Sequence, residues 1–186
     1  MSYPILFGNI AASGASEDFV LLDTITIASA TGVTGFANIS QQYKHLQMRL
    51  VGNQAGTTNI KFYFQLNGTT TNDWATFQSA SGTFSGTDNQ QDGPAIYFGG
   101  TPGGTNATYR LTSVIDFLDY KSRRKHKNLQ IHSAAVHSGT GGFTTSYTSG
   151  LVALKSPITD ISIGVAGGGG GNIMAGTKIK LYGVRG

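Results

Sequence analysis

Histidines are the side chains best suited to acid–base chemistry or metal ligation near neutral pH, and the chain has four. His132 and His137 fall in one predicted strand with opposite parity, so they project to opposite faces and cannot chelate together. His126 lies among Lys and Arg, which repel a cation. A metal site needs convergent ligands, and this spacing predicts packing or surface roles instead. The run Asp88–Gly93, DNQQDG, begins like a calcium loop, with acids at positions one and five and glycine at six. Position three is Gln90, however, and position twelve, where a bidentate Glu belongs, is Gly99. A solvated turn is expected there.

Glycoside hydrolysis would require two carboxylates flanking a cleft. Asp116 and Asp119 are close in sequence, yet an extended chain running past Leu118 would place them on opposite sides. Trp74, the single tryptophan, stands beside Asp73 and could stack on a sugar ring, which makes it the candidate glycan-binding residue. Core packing is the preferred account of the same side chain. The chain has no Gly-x-Ser-x-Gly elbow and no phosphate-binding glycine loop; the glycines Gly167–Gly171 open no helix. With no cysteine either, thiolate ligands, disulfides and a Cys nucleophile are excluded. No catalytic constellation emerges, no cofactor is expected, and the chain is read as a non-enzyme.

The strongest remaining feature is KSRRKHK, Lys121–Lys127. Five of the thirteen Lys and Arg residues lie there, leaving eight against nine acidic residues elsewhere, so the formal charge of +4 is one patch. As a hairpin tip the run is a solvated basic loop. As a site, its Lys121, Arg123, Arg124, Lys125 and Lys127 could grip an acidic surface on a partner, or phosphate by nonspecific ion pairing. Tyr120 is the one aromatic beside it, which gives base stacking little support, so a protein partner is expected in preference to nucleic acid.

The elements that position these residues show the two-residue period of half-buried strands. Phe19–Ala28 reads as a first core strand. Asn38–Lys44 is a turn or short helical approach to a strand at His45–Val51, with Leu46, Met48 and Leu50 facing inward. Ile60–Leu66 alternates most clearly and stops at the turn dipeptide Asn67–Gly68. Thr69–Gly93 is expected to be a long loop with one short strand at most, followed by a short strand at Pro94–Phe98. In Tyr109–Leu118 the residues Leu111, Ser113, Ile115 and Phe117 share a face, as do Leu129, Ile131 and Ser133 in Asn128–His137. Phe143–Leu154 is another strand. Ile161–Val165 and Lys178–Tyr182 are expected to pair as a terminal hairpin around the glycine tip, with Ile179 and Leu181 inward. Nowhere do apolar residues recur at helical spacing. About eight or nine strands with long Gly/Ser/Thr-rich loops predict an all-β antiparallel sandwich or jelly roll.

Composition bounds the rest. At 186 residues the chain fits one domain: residues 19–186 as the β-sandwich, and residues 1–18 as an N-terminal arm that orders on binding, with Tyr3, Ile5 and Phe7 as its contact residues. Only 12% of residues are charged, which suits a surface covered by neighbouring subunits. No apolar run approaches the length of a membrane span, and the start lacks the basic region of a secretion signal. Asn-x-Ser/Thr triplets at Asn38, Asn67 and Asn106 are expected by chance in so Ser- and Thr-rich a chain.

Three blocks carry a resemblance. Phe36, Asn38, Ile39, Tyr43 and Leu46 in FANISQQYKHL, the run FQLNGTTTNDW from Phe64 to Trp74, and Gly176, Leu181, Tyr182 and Gly183 in AGTKIKLYGV are similar to segments of small tailed-bacteriophage virion proteins. Trp74 stands where a Tyr is more usual. The resemblance implies a capsid decoration (cement) protein, a homotrimer located in the virion and bound to the major capsid protein or other virion proteins. The alternative is a tail or fibre subunit that recognises a host glycan.

Overall fold

In the computed structural model the described residues are 18–56, 58–68, 73–75, 91–93, 96–98, 107–137, 143–168 and 171–186. They form thirteen strands and no helix: β1 (Phe19–Thr26), β2 (Val33–Phe36), β3 (His45–Gly56), β4 (Thr58–Leu66), β5 (Asp73–Ala75), β6 (Gln91–Gly93), β7 (Ile96–Phe98), β8 (Ala107–Leu118), β9 (Lys127–His137), β10 (Phe143–Val152), β11 (Ile161–Gly168), β12 (Asn172–Ile173) and β13 (Lys178–Val184). All pairings are antiparallel. The first sheet runs β1-β13-β3-β8-β9-β10, with β12 also on β3; the second runs β2-β11-β4-β7; β5 and β6 form a separate ribbon. Neither order closes on itself.

The pairs are nested along the chain. β1 lies against β13, β2 against β11, β3 against β8, and β4 against β7. The chain is therefore doubled back on itself, with successive rungs assigned alternately to the first and second sheets. The hairpin β9–β10 extends the first sheet beyond β8.

Alternation builds the core. Leu46, Met48 and Leu50 on β3 are fully buried, as are Phe62 and Phe64 on β4. On β8 and β9 the register places Ile115 opposite Ile131, Phe117 opposite Leu129 and Ser113 opposite Ser133. The two serines resolve the burial of their hydroxyls by bonding to each other at 2.7 Å, which removes the penalty for an unpaired buried polar group. Both sheets contribute to one buried cluster. Phe64 of the second sheet meets Phe117 of the first edge to face, with ring centroids 5.4 Å apart, a favoured aromatic geometry.

Several expectations are corrected. β11 and β13 do not pair as a terminal hairpin: β11 belongs to the second sheet and β13 to the first. Each strand has an inward apolar row, but alternation specifies a face and not a partner. Gly167 and Gly168 continue β11, and Gly168 pairs with Thr58. β1 is an edge strand, not a core strand, with Phe19 45% and Leu21 50% exposed. Asn38–Lys44 contains no helical turn; Asn38 takes a left-handed backbone with φ of 54°. The polar stretch before residue 94 supplies two short strands, β5 and β6.

Candidate partner-binding site

The basic run folds as the connection between β8 and β9, and Ser122 shapes it. The Ser122 N–H donates to the Asp119 carbonyl at 2.8 Å, and its hydroxyl accepts the N–H groups of Arg124 (3.3 Å) and Lys125 (3.2 Å). Asp119, with φ of 48°, makes the reversal, a conformation that Asp tolerates better than most residues. The loop is anchored from behind: Tyr120 is fully buried, its hydroxyl donates to the Ser40 carbonyl, and its own carbonyl accepts the Ile158 N–H at 3.0 Å.

Within this frame Lys121, Arg123, Arg124, Lys125 and His126 are exposed. Lys127 is not. It is fully buried, and its ammonium donates to the Ser122 carbonyl, so it closes the loop and presents no charge to a partner. Burial pushes the Lys127 pKa down, against the raising effect of Asp119. The alternation that makes β9 a strand also explains this: residue 127 shares the inward parity of Leu129 and Ile131.

The sequence did not associate the loop with residues from two other segments. Lys44, at the approach to β3, and Arg185, just past β13, converge with Lys121 on a cleft of about 520 Å³ also lined by Gln42, Tyr43 and Gly186. Register causes the convergence. Val184 pairs with His45, the Lys44 N–H bonds to the Val184 carbonyl at 3.0 Å, and β3 lies beside β8, so one end of the first sheet gathers all three. No acidic side chain lines the cleft. His45 and Asp119 approach at 3.8 Å nearby, but His45 Nδ1 accepts the Asp119 N–H at 2.9 Å and so carries no proton in this geometry. The contact is a hydrogen bond to the turn, not an ion pair. Among the described residues Lys44, Lys121 and Arg185 have no carboxylate partner.

The other candidates disperse. His132 is exposed and packs edge to face on Tyr147 with centroids 4.6 Å apart, while residue 137 has the opposite parity in β9. Among the described residues no three His, Asp or Glu side chains gather for a metal. Asp116 accepts the Gln47 amide at 2.7 Å on the outer face of the first sheet, whereas Asp119 sits in the turn beyond the strand, so they serve different contacts. Trp74 lies in β5, opposite Asp92 in β6, and its side chain is outside the described set. So are residues 88–90 of the calcium-like run, Asn106, and the arm residues Tyr3, Ile5 and Phe7.

The blocks that carry the resemblance are occupied by structural tasks. Phe36, Ile39 and Leu46 are buried, and the Ile39 N–H bonds to the Thr159 carbonyl at 2.9 Å as the chain crosses from the second sheet to the first. Asn67 clamps residues 157–160, and Tyr43 packs on Gly183. Compared with protein-family models and with curated proteins, the chain matches none.

Proposed function

We propose that this chain is a non-enzymatic structural protein of a tailed-phage virion, a jelly-roll subunit that binds and stabilises neighbouring capsid subunits. The sandwich reading is supported by the nested order: β1-β13-β3-β8 in one sheet and β2-β11-β4-β7 in the other is the order expected of two four-stranded halves of a jelly roll, an architecture that recurs in viral capsid domains. Fold alone does not assign a role. The observation that carries the role is the cationic end, where an ordered loop displays Lys121, Arg123, Arg124 and Lys125 beside Lys44 and Arg185, none of them in an ion pair among the described residues. A preorganised patch of one sign steers an oppositely charged partner and loses little entropy when it docks.

In this reading the partner is the major capsid protein or another virion protein, the subunit assembles as a homotrimer, and Tyr3, Ile5 and Phe7 supply a second attachment. Sedimentation with particles assembled without the chain tests it. The unaltered protein should pellet with the particles and raise their resistance to heat and osmotic shock. The triple change Arg123→Ala, Arg124→Ala and Lys125→Ala should abolish pelleting at physiological salt, while Lys178→Ala, at the far end of β13, should not. Particles equally resistant with and without the protein would refute cementing.

A further inference from the structure

We infer that Asn67–Gly68 is a site of spontaneous deamidation that the folded chain holds shut, so that the reaction marks molecules that have been unfolded. It is the one Asn-Gly dipeptide of the sequence. In such a pair the Gly68 backbone nitrogen attacks the Asn67 side-chain carbon Cγ, and a residue without a Cβ leaves that approach unhindered. The bond from Gly68 N to Asn67 Cγ forms as the bond from Cγ to Nδ2 breaks, and the proton lost by Gly68 leaves with the amide as ammonia. Water then opens the cyclic imide at either carbonyl, giving an aspartate or an isoaspartate at position 67. The reaction consumes no oxidant, reductant or cofactor.

Gly68 is exposed, so water reaches the turn, and the restraint lies in the carboxamide. Its oxygen accepts the N–H groups of Thr159 (2.8 Å) and Asp160 (3.2 Å) and the Thr159 hydroxyl (3.2 Å). Its Nδ2 donates to the Pro157 carbonyl (2.7 Å) and to Ser156 Oγ (3.3 Å). The Asn67 backbone N–H is tied to the same segment, donating to the Asp160 carbonyl at 2.9 Å. Both heavy atoms on Cγ, the oxygen and the departing nitrogen, are thus held against residues 156–160. Turning Cγ onto the Gly68 nitrogen requires these bonds to be given up together, which is a local opening of the structure. The N–H groups on the oxygen polarise the carbonyl, but attack still waits on that rotation.

Either product refits the fold badly. An aspartate has no N–H for the Pro157 carbonyl and sets a carboxylate oxygen against it. An isoaspartate lengthens the backbone by a methylene at the junction where β4 is fastened to residues 157–160. A chain that has reacted while unfolded therefore returns to a less stable structure.

Peptide mass mapping of the full chain, incubated at mildly alkaline pH either folded or in urea, tests the site. In urea, residue 67 should gain the mass of an amide-to-acid exchange ahead of every other Asn. Gly68→Ala should slow that reaction in urea, where no difference in folding enters the comparison. In the folded protein the exchange at residue 67 is expected to be at least about ten-fold slower than in urea, as for chemistry that waits on local opening. Asn67→Asp, which installs one product directly, should shift the urea midpoint downward. A folded chain that reacts as fast as the unfolded one would overturn the inference, and so would another Asn reacting first in urea or a rate there indifferent to Gly68→Ala. An Asn67→Asp protein with an unaltered midpoint would overturn the claim that the product refits badly.

Discussion

The ring of Tyr43 lies so close to the backbone of Gly183 that a Cβ at residue 183 would collide with its ring carbons. Gly183 occupies the inward row of β13 with Ile179 and Leu181, and its lack of a side chain lets Tyr43 fold over the end of the first sheet and form one wall of the cationic cleft.

Gly183→Ala should therefore be destabilising, by about 1–3 kcal/mol as for other overpacked sites, because the clash is with the base of a ring and not with a flexible tip. Urea denaturation should show a lower midpoint at unchanged slope. A midpoint within error of the unaltered protein would show that the ring can move freely.

Asn67 ties the end of β4 to a segment some ninety residues away in sequence. Its carbonyl oxygen accepts the N–H groups of Thr159 (2.8 Å) and Asp160 (3.2 Å), and its amide donates to the Pro157 carbonyl (2.7 Å), all from a backbone with φ of 53°. Asn67→Ala removes these partners and puts an unfavourable side chain in the left-handed region, so a loss of about 2–3 kcal/mol is expected. Asn67→Gly relieves the backbone and should recover only part of that loss. Equal stability of the two variants would contradict the importance of the backbone term.

Alkaline pH should unfold the protein through Tyr120. Burial raises its pKa above 10.0, opposed by the Tyr43 backbone N–H, so the unfolded chain releases this proton first. Stability is then constant below pH 10 with respect to this group, and falls as pH rises from 10 through the folded-state value. Lys127 acts with the opposite sign: its folded pKa lies below 10.5, so its contribution grows with pH up to 10.5 and then stops. Tyr120→Phe should flatten the alkaline decline in a series of urea melts at pH 8 to 11, at a cost of about 1 kcal/mol near neutrality for the lost bond to Ser40. An unaltered decline would assign it to other groups.

Lys127 shows how far the sequence could be read at the candidate site. Its place in a basic run suggests a surface cation, yet its parity with Leu129 and Ile131 makes it an inward residue, and here the strand period overrides composition. The patch of Lys121 and Arg123 to Lys125 was legible because local charge density does not depend on long-range pairing. Lys44 and Arg185 were not legible, because each is a lone cation in its own stretch and becomes part of a site only when β3, β8 and β13 lie side by side.

The sequence by itself determined which residues face inward: Leu46, Met48 and Leu50, the row from Leu111 to Phe117, and Ile179 with Leu181 are written in a two-residue period that needs no partner to be read. The all-β class follows from the same alternation. Only the tertiary structure decided which strand each row lies beside. β11 and β13, with only the two-residue β12 between them in the chain, were separated into different sheets, while β1 and β13, at opposite ends of the described chain, were joined. The reason is physical: burial of an apolar face is satisfied by many partners, so the choice among them is made by backbone pairing and by the core that both sheets share.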